Sequence, residues 1–191
     1  MLRLTLARHG ATEWNAAGRH QGWSDPPLSA EGRAQAEALR GRLAGESFDR
    51  VVASDLLRAR ETARIAVPGV EAATDRRWRE LHFGAWEGLT SAECAARDGD
   101  LLARWTADPA SVTPPGGEAV AEFEARVAAA LDALPAEGSV LVVAHAGTIH
   151  AVLARWMGVA LRQTLALRIG PCGITRAEVF PDGLRVQCVN A

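Results

Sequence analysis

SVLVVAHAGTIHAVLARWM, residues 139–157, holds both halves of an α/β unit in one stretch. Ser139–Ala144 is nearly all apolar, as a strand covered on both faces would be. The chain then passes through His145-Ala146-Gly147 into a predicted helix at Thr148–Met157, where Gly158 is a suitable C-terminal stop. In open α/β sheets, sites gather beyond the carboxyl ends of strands. A histidine placed at that end is therefore a candidate for chemistry.

Outward from this unit the same alternation recurs. Residues 2–7 (LRLTLA) read as a strand entering a core and end on Arg8-His9-Gly10. Ser29 is placed to cap a helix through about Leu43, with Ala36, Leu39 and Leu43 on one face. Val51-Val52-Ala53 reads as a short buried strand, and Ser54 as the cap of a second helix that Pro68-Gly69 ends. Val120, Phe123, Val127, Ala130, Leu131 and Leu134 form the apolar stripe of a helix from Glu118 to Leu134. Residues 78–117 read as irregular, and two or three strands are predicted around Leu165–Ile169, Ile174–Val179 and Leu184–Val189. Strands alternating with helices predict an α/β three-layer sandwich, a mainly parallel central sheet flanked by helices. At 191 residues, 48% of them hydrophobic, the chain suits one domain spanning 1–191, in which 83–115 is expected to form a lid or insertion.

Composition removes several function classes. All 21 basic residues are arginine, and neither lysine nor tyrosine occurs. That excludes P-loop and Schiff-base lysines and tyrosine nucleophiles. A net charge of −2 without a basic tract argues against nucleic-acid binding. Cys94, Cys172 and Cys188 are odd in number and lack a CxxC pair, which argues against a disulfide framework and a cysteine-ligated zinc. No run reaches the ~20 apolar residues of a membrane span, and MLRLTLARHG is too short for a signal peptide. A cytoplasmic protein with no membrane partner is expected.

Two histidines and two arginines, His9, His145, Arg8 and Arg58, would meet if the three strands are neighbours. That set suits a phosphate, because guanidinium offers planar, permanently charged donors. A neutral histidine can attack phosphorus if one ring nitrogen is held as a donor elsewhere, and Gly10 would admit the anion close to the backbone. The leaving alkoxide needs a proton from a carboxylic acid, whose protonated form phosphate charge and partial burial favour. Glu80 lies in an apolar-flanked stretch, but these residues alone do not choose it over Glu13, Glu87 or Glu118. His20, His82 and His150 read as polar neighbours of the site. Trp14 and Trp23 read as core, lid packing or pocket walls. His145 and His150, five apart, lie roughly 140° apart on a helix, so a shared metal is not expected.

The segment Leu6-Ala7-Arg8-His9-Gly10-Ala11-Thr12-Glu13-Trp14-Asn15 resembles the signature of the histidine phosphatase superfamily, phosphoglycerate-mutase-like branch. The resemblance continues collinearly through Gly18–Gly22, Pro27-Leu28-Ser29, Ser54–Ala59, Arg79–Gly88, Gly116-Gly117-Glu118 and Val142–Gly147. It implies that His9 is the phosphorylated nucleophile, enclosed with the phosphoryl group by Arg8, Arg58 and His145. It implies Glu80 as proton donor and later base, and Thr12, Asn15, Gln21, Gly22 and Gly147 as substrate-side contacts. It implies no cofactor and no metal, and a small phosphorylated metabolite as substrate. Ala146 departs from the usual glycine, and His150 stands where many relatives carry arginine.

The mutase members of this branch carry a longer insertion between acid and second histidine, with paired arginines and a lysine. Here Glu80 and His145 lie only 65 positions apart (145 − 80), and Arg76-Arg77, the one Arg-Arg pair, precedes the acid. Hydrolysis of a small phosphomonoester is therefore the expected activity. Phosphatases acting on α-ribazole phosphate and broad-specificity phosphomonoesterases are the most similar. The alternatives are a cofactor-dependent phosphoglycerate mutase and a non-catalytic phospho-ligand binding module. Natural substrate and oligomeric state are left open.

Overall fold

Six strands form one sheet in a computed structural model that describes residues 1–191. They are β1 (Leu2–Arg8), β2 (Arg50–Ala53), β3 (Ala73–Thr74), β4 (Gly138–Ala144), β5 (Ile174–Phe180) and β6 (Gly183–Cys188). The order across the sheet is β3-β2-β4-β1-β5-β6. β3, β2, β4 and β1 run parallel, while β5 and β6 close one edge antiparallel. Seven helices connect them: α1 (Glu13–Ala16), α2 (Ala30–Arg42), α3 (Leu57–Ala66), α4 (Ser91–Ala107), α5 (Val120–Asp132), α6 (Ala146–Met157) and α7 (Leu161–Thr164).

Strand periodicity explains the three layers, since successive side chains point to opposite faces. In β4, Val140, Val142 and Ala144 pack with Phe123 and Val127 of α5 and Ile149 and Val152 of α6. Leu141 and Val143, between them, pack on the other face with Ala36 and Leu39 of α2 and Ala59 and Ala63 of α3. Both faces are dry, which is why Ser139–Ala144 carries almost no polar residue. The predicted three-layer α/β sandwich is the fold of the chain.

Four local expectations are corrected. Residues 78–117 are not irregular throughout, because they contain the 17-residue α4, capped by the Thr90 hydroxyl with Glu93 reaching back. Only Cys94 is buried along it, and its backbone leaves helical geometry at Asp98, so the helix reads in sequence as two short pieces split by Asp98-Gly99. Ser54 does not cap α3: Leu56 is the N-cap residue, and Asp25 from a distant loop accepts the Leu57 N–H at 2.8 Å. α6 begins at Ala146, two residues before the predicted start. Leu165–Ile169 forms no strand, since β5 already occupies the edge beside β1.

Candidate active site

Parallel register sets the site. Arg8 pairs with Ala144 and Ala53 with Val143, so β1, β4 and β2 end at one level. His9, His145 and Ser54 follow those three ends. The His9 and His145 rings lie 5.1 Å apart, inclined at 60°. Both imidazoles are buried.

His9 Nδ1 lies 2.7 Å from the Gly10 carbonyl oxygen. A carbonyl only accepts, so Nδ1 carries the ring hydrogen and Nε2 keeps its lone pair. Burial, then the neighbouring Arg58 and Arg8 guanidiniums, hold His9 well below the ordinary imidazole value of 6.5. The ring is therefore neutral at neutral pH, as a nucleophile must be. His145 is depressed by burial and by Arg58 for the same reasons. Its Nε2 is 2.9 Å from Ser54 Oγ, and that oxygen also accepts from Leu56 N–H at 3.4 Å. This pairing favours Ser54 donating to Nε2, which leaves an N–H at His145 Nδ1.

Arg58 enters from the first turn of α3 and is 0% exposed, an unusual burial for arginine. Its Nη1 and Nη2 donate to the carbonyls of Ser24 and Gly22, each at 2.8 Å. Burial lowers its pKa to about 10, still leaving it charged at neutral pH. Arg8 donates through Nη1 to Ile169 O at 2.7 Å. Arg8 Nε, Arg58 Nε and His145 Nδ1 are buried nitrogens without a partner in the protein. Three unpaired donors in one cluster are rare in a folded interior and match an anion rich in acceptor oxygens.

Glu80 closes the other side. Its Oε1 accepts the Leu81 N–H at 2.9 Å and its Oε2 the Gly147 N–H at 3.0 Å. A Cβ on Gly147 would run into Glu80 Oε1, so the carboxylate rests directly against the first turn of α6. Gly147, expected beside the phosphate, gives its N–H to Glu80. At Gly10 a packing constraint is visible as well. A Cβ there would strike the backbone of Gly32 in α2, so its bareness serves packing of the loop onto that helix.

The remaining expected contacts lie in the loop that wraps Arg58 and in α1. Thr12 is the N-cap of α1 and forms a reciprocal capping box with Asn15. Gly22, at φ +54°, offers its carbonyl to Arg58, and beside it the nearly buried Gln21 has an unpaired Oε1. Trp23 stacks on His82 at 4.7 Å and donates its indole N–H to Glu80 O at 2.9 Å, so it braces the acid from behind. His20 packs against Phe83, and burial lowers the pKa of both His20 and His150.

The contacts of four neighbours were not legible in the sequence: Ser54, Thr62 and Glu87, which lie in or beside the signature blocks, and Arg126, which does not. Ser54 orients His145. Thr62 accepts Gly10 N–H at 3.0 Å and donates to Arg58 O at 2.7 Å, joining the loop after His9 to α3. Glu87 takes N–H groups from Trp23 and Phe83 on Oε1, and the Ser24 N–H and hydroxyl on Oε2, pinning the loop that holds Arg58. Arg126 gathers carbonyls around Glu80. Spacing offered a signal only for Thr62, four residues after Arg58 on one helix face.

A model of the histidine phosphatase superfamily, branch 1, matches residues 4–191. The chain is 33% identical over 183 residues to a Serratia proteamaculans protein named "Probable phosphoglycerate mutase GpmB", covering 93% of this chain and 85% of that one. In structure it is similar to the alpha-ribazole phosphatase of Shigella flexneri, with TM-score 0.90 and 27% identity over 99% of this chain and 96% of that one. It is also similar to a mycobacterial glucosyl-3-phosphoglycerate phosphatase complexed with VO3, with TM-score 0.84 and 33% identity over 99% and 98% of the two chains.

Proposed function

Because this chain belongs to the histidine phosphatase superfamily, branch 1, we propose that it hydrolyses a small phosphomonoester through a phosphohistidine on His9. The observation that carries this reading is the neutral His9 ring, tied through Nδ1 to Gly10 O and facing His145 among unpaired arginine donors. His9 Nε2 bonds to phosphorus as the P–O bond to the leaving group breaks, and protonated Glu80 gives its proton to the departing oxygen. Glu80, now a carboxylate, takes a proton from water as that water attacks phosphorus and the N–P bond breaks. Positive charge that builds on the ring is met by the Gly10 carbonyl. Arg8, Arg58 and the His145 N–H stabilise charge on the phosphoryl oxygens.

These donors do what a metal ion does elsewhere, and no group of three or more His, Cys, Asp or Glu is arranged to hold one. Turnover is expected to survive exhaustive EDTA treatment. Thr12, Asn15, Gln21 and Gly22 are assigned to the substrate side of the pocket. Three unpaired cysteines suit the reducing cytoplasm, and no helix is long and apolar enough to cross a membrane. The relatives named as mutases favour a second reading, phosphoglycerate isomerisation. The short span between Glu80 and His145 and the absence of lysine support hydrolysis over it.

One experiment separates the readings. Wild-type protein quenched during turnover should carry acid-labile phosphate, and His9→Ala should carry none and turn nothing over. Product analysis with 3-phosphoglycerate should then show phosphate release exceeding isomerisation. Isomerisation well above release assigns the mutase activity, and no phosphohistidine at all removes both.

A further inference from the structure

Every N–H of the Arg126 guanidinium is directed at the Arg77–Glu80 backbone or at Glu118. Nη1 donates to Arg77 O at 2.9 Å and Arg79 O at 2.6 Å. Nη2 donates to Glu80 O at 2.7 Å and Glu118 Oε2 at 2.8 Å, and Nε to Glu118 Oε1 at 2.7 Å. That uses all five donors an arginine has. Glu118 is fixed in turn: its N–H donates to His82 O at 2.9 Å, and its Oε2 accepts from His82 N–H at 3.4 Å. Gly117 precedes it because a Cβ there would meet that same His82 carbonyl. The guanidinium also lies over the Phe123 ring, 4.8 Å from its centroid.

The carbonyls of Arg79 and Glu80 belong to the two peptide planes on either side of the Glu80 Cα. Holding both planes fixes the direction in which the side chain leaves the backbone. The second plane also carries the Leu81 N–H, which bonds Glu80 Oε1. From that direction the carboxylate reaches Gly147 N–H at the start of α6. Trp23 Nε1, sharing Glu80 O at 2.9 Å, adds a donor from the loop that also holds Arg58. Arg79 itself is tied to Asp55 by two bonds of 2.7 and 2.6 Å, so the stretch before the acid is anchored independently.

We propose that Arg126, clamped by Glu118, is the positioning residue of the general acid: without touching substrate it sets where Glu80 delivers its proton. This rests on the assignment of Glu80 under the proposed function. Proton delivery matters in proportion to the basicity of the leaving oxygen, so a displaced acid leaves a particular kinetic mark. An unstable protein loses activity on all substrates alike, whereas a misplaced acid loses it on poor leaving groups.

The test is kcat/KM, which reports the phosphorylation step, across p-nitrophenyl, phenyl and alkyl phosphates for wild type, Glu80→Gln, Arg126→Ala and Arg126→Lys. Arg126→Ala should lose about 10²-fold on the alkyl phosphate and less than about 10-fold on p-nitrophenyl phosphate, parallel to Glu80→Gln. Arg126→Lys, with three donors at most, should fall between Arg126→Ala and wild type. If Arg126→Ala does not fold, Glu118→Gln keeps the guanidinium but weakens its clamp, and should show the same dependence at smaller amplitude. Leaving-group dependence in Glu80→Gln alone, with equal or no losses in the other variants, would overturn the positioning role and leave the acid intact. Equal losses across the series in Glu80→Gln would remove the acid assignment and this proposal together.

Discussion

A single glycine shows how closely chemistry and packing are joined here. Gly147 occupies the first turn of α6, where alanine is intrinsically the better helix former by up to about 1 kcal/mol. Yet a methyl group there collides with Glu80 Oε1. Gly147→Ala is therefore expected to keep or raise the melting temperature while lowering kcat/KM, most on poor leaving groups. A variant that lost stability and activity in parallel would contradict this separation. At this scale Arg8, His9, Arg58 and His145 could be proposed from residue type and strand-end position. Ser54, though it too stands at a strand end, could not be matched to His145, and Arg126 could not be proposed. Their importance lies in partners 91 and 46 to 49 positions away, and no local pattern marks a hydroxyl or guanidinium for such a contact.

Helices α2 and α4 mark the two ends of legibility. α2 was read almost to the residue, because Ser29 Oγ accepts the Gly32 N–H at 3.0 Å and Ala36 and Leu39 bury one face. Ser29→Ala should cost about 1 kcal/mol in denaturant unfolding while leaving the chemical step untouched, since the cap lies outside the phosphate cluster. A loss of several kcal/mol would mean that the Ser29 hydroxyl's bond to the Ala11 carbonyl, at 3.1 Å, holds more of the loop after His9 than the cap alone, since the backbone N–H bond at 2.9 Å survives the substitution. α4 went unread. Its capping pair Thr90 and Glu93 was present in the sequence as a T-x-x-E pattern, but the segment that follows has no continuous apolar stripe to confirm it. The helix is held by Trp105, edge-on to Phe83 and Trp86 at 6.1 and 6.0 Å, and by polar contacts such as Trp86 Nε1 to Asp98 at 2.8 Å.

For the molecule as a whole, neutral imidazoles in the interior couple folding to pH, chiefly His9 and His145, with His20 and His150 acting in the same direction. Burial and the arginines hold His9 and His145 well below 6.5 when folded, whereas an unfolded chain protonates them below that value. Below 6.5 the unfolded state thus binds more protons, and stability rises with pH. The stabilisation is full above 6.5 and is lost as pH falls from there toward the folded values. Asp55 and Asp75, held below 3.8 by Arg79 and Arg77, add their loss only in stronger acid. Melting temperature should fall from pH 7 to pH 5, and less steeply in His145→Gln; identical slopes would refute the assignment to these rings. By itself the sequence determined the α/β class, the presence of its strongly periodic elements and the residue types that stand at its strand ends. Period, capping and residue chemistry are local properties, legible without coordinates. Only the tertiary structure decided that β1, β4 and β2 end at one level, that Gly147 bonds the Glu80 carboxylate and that Arg126 stands behind it, because strand register and contacts between distant segments are set by packing the whole chain at once.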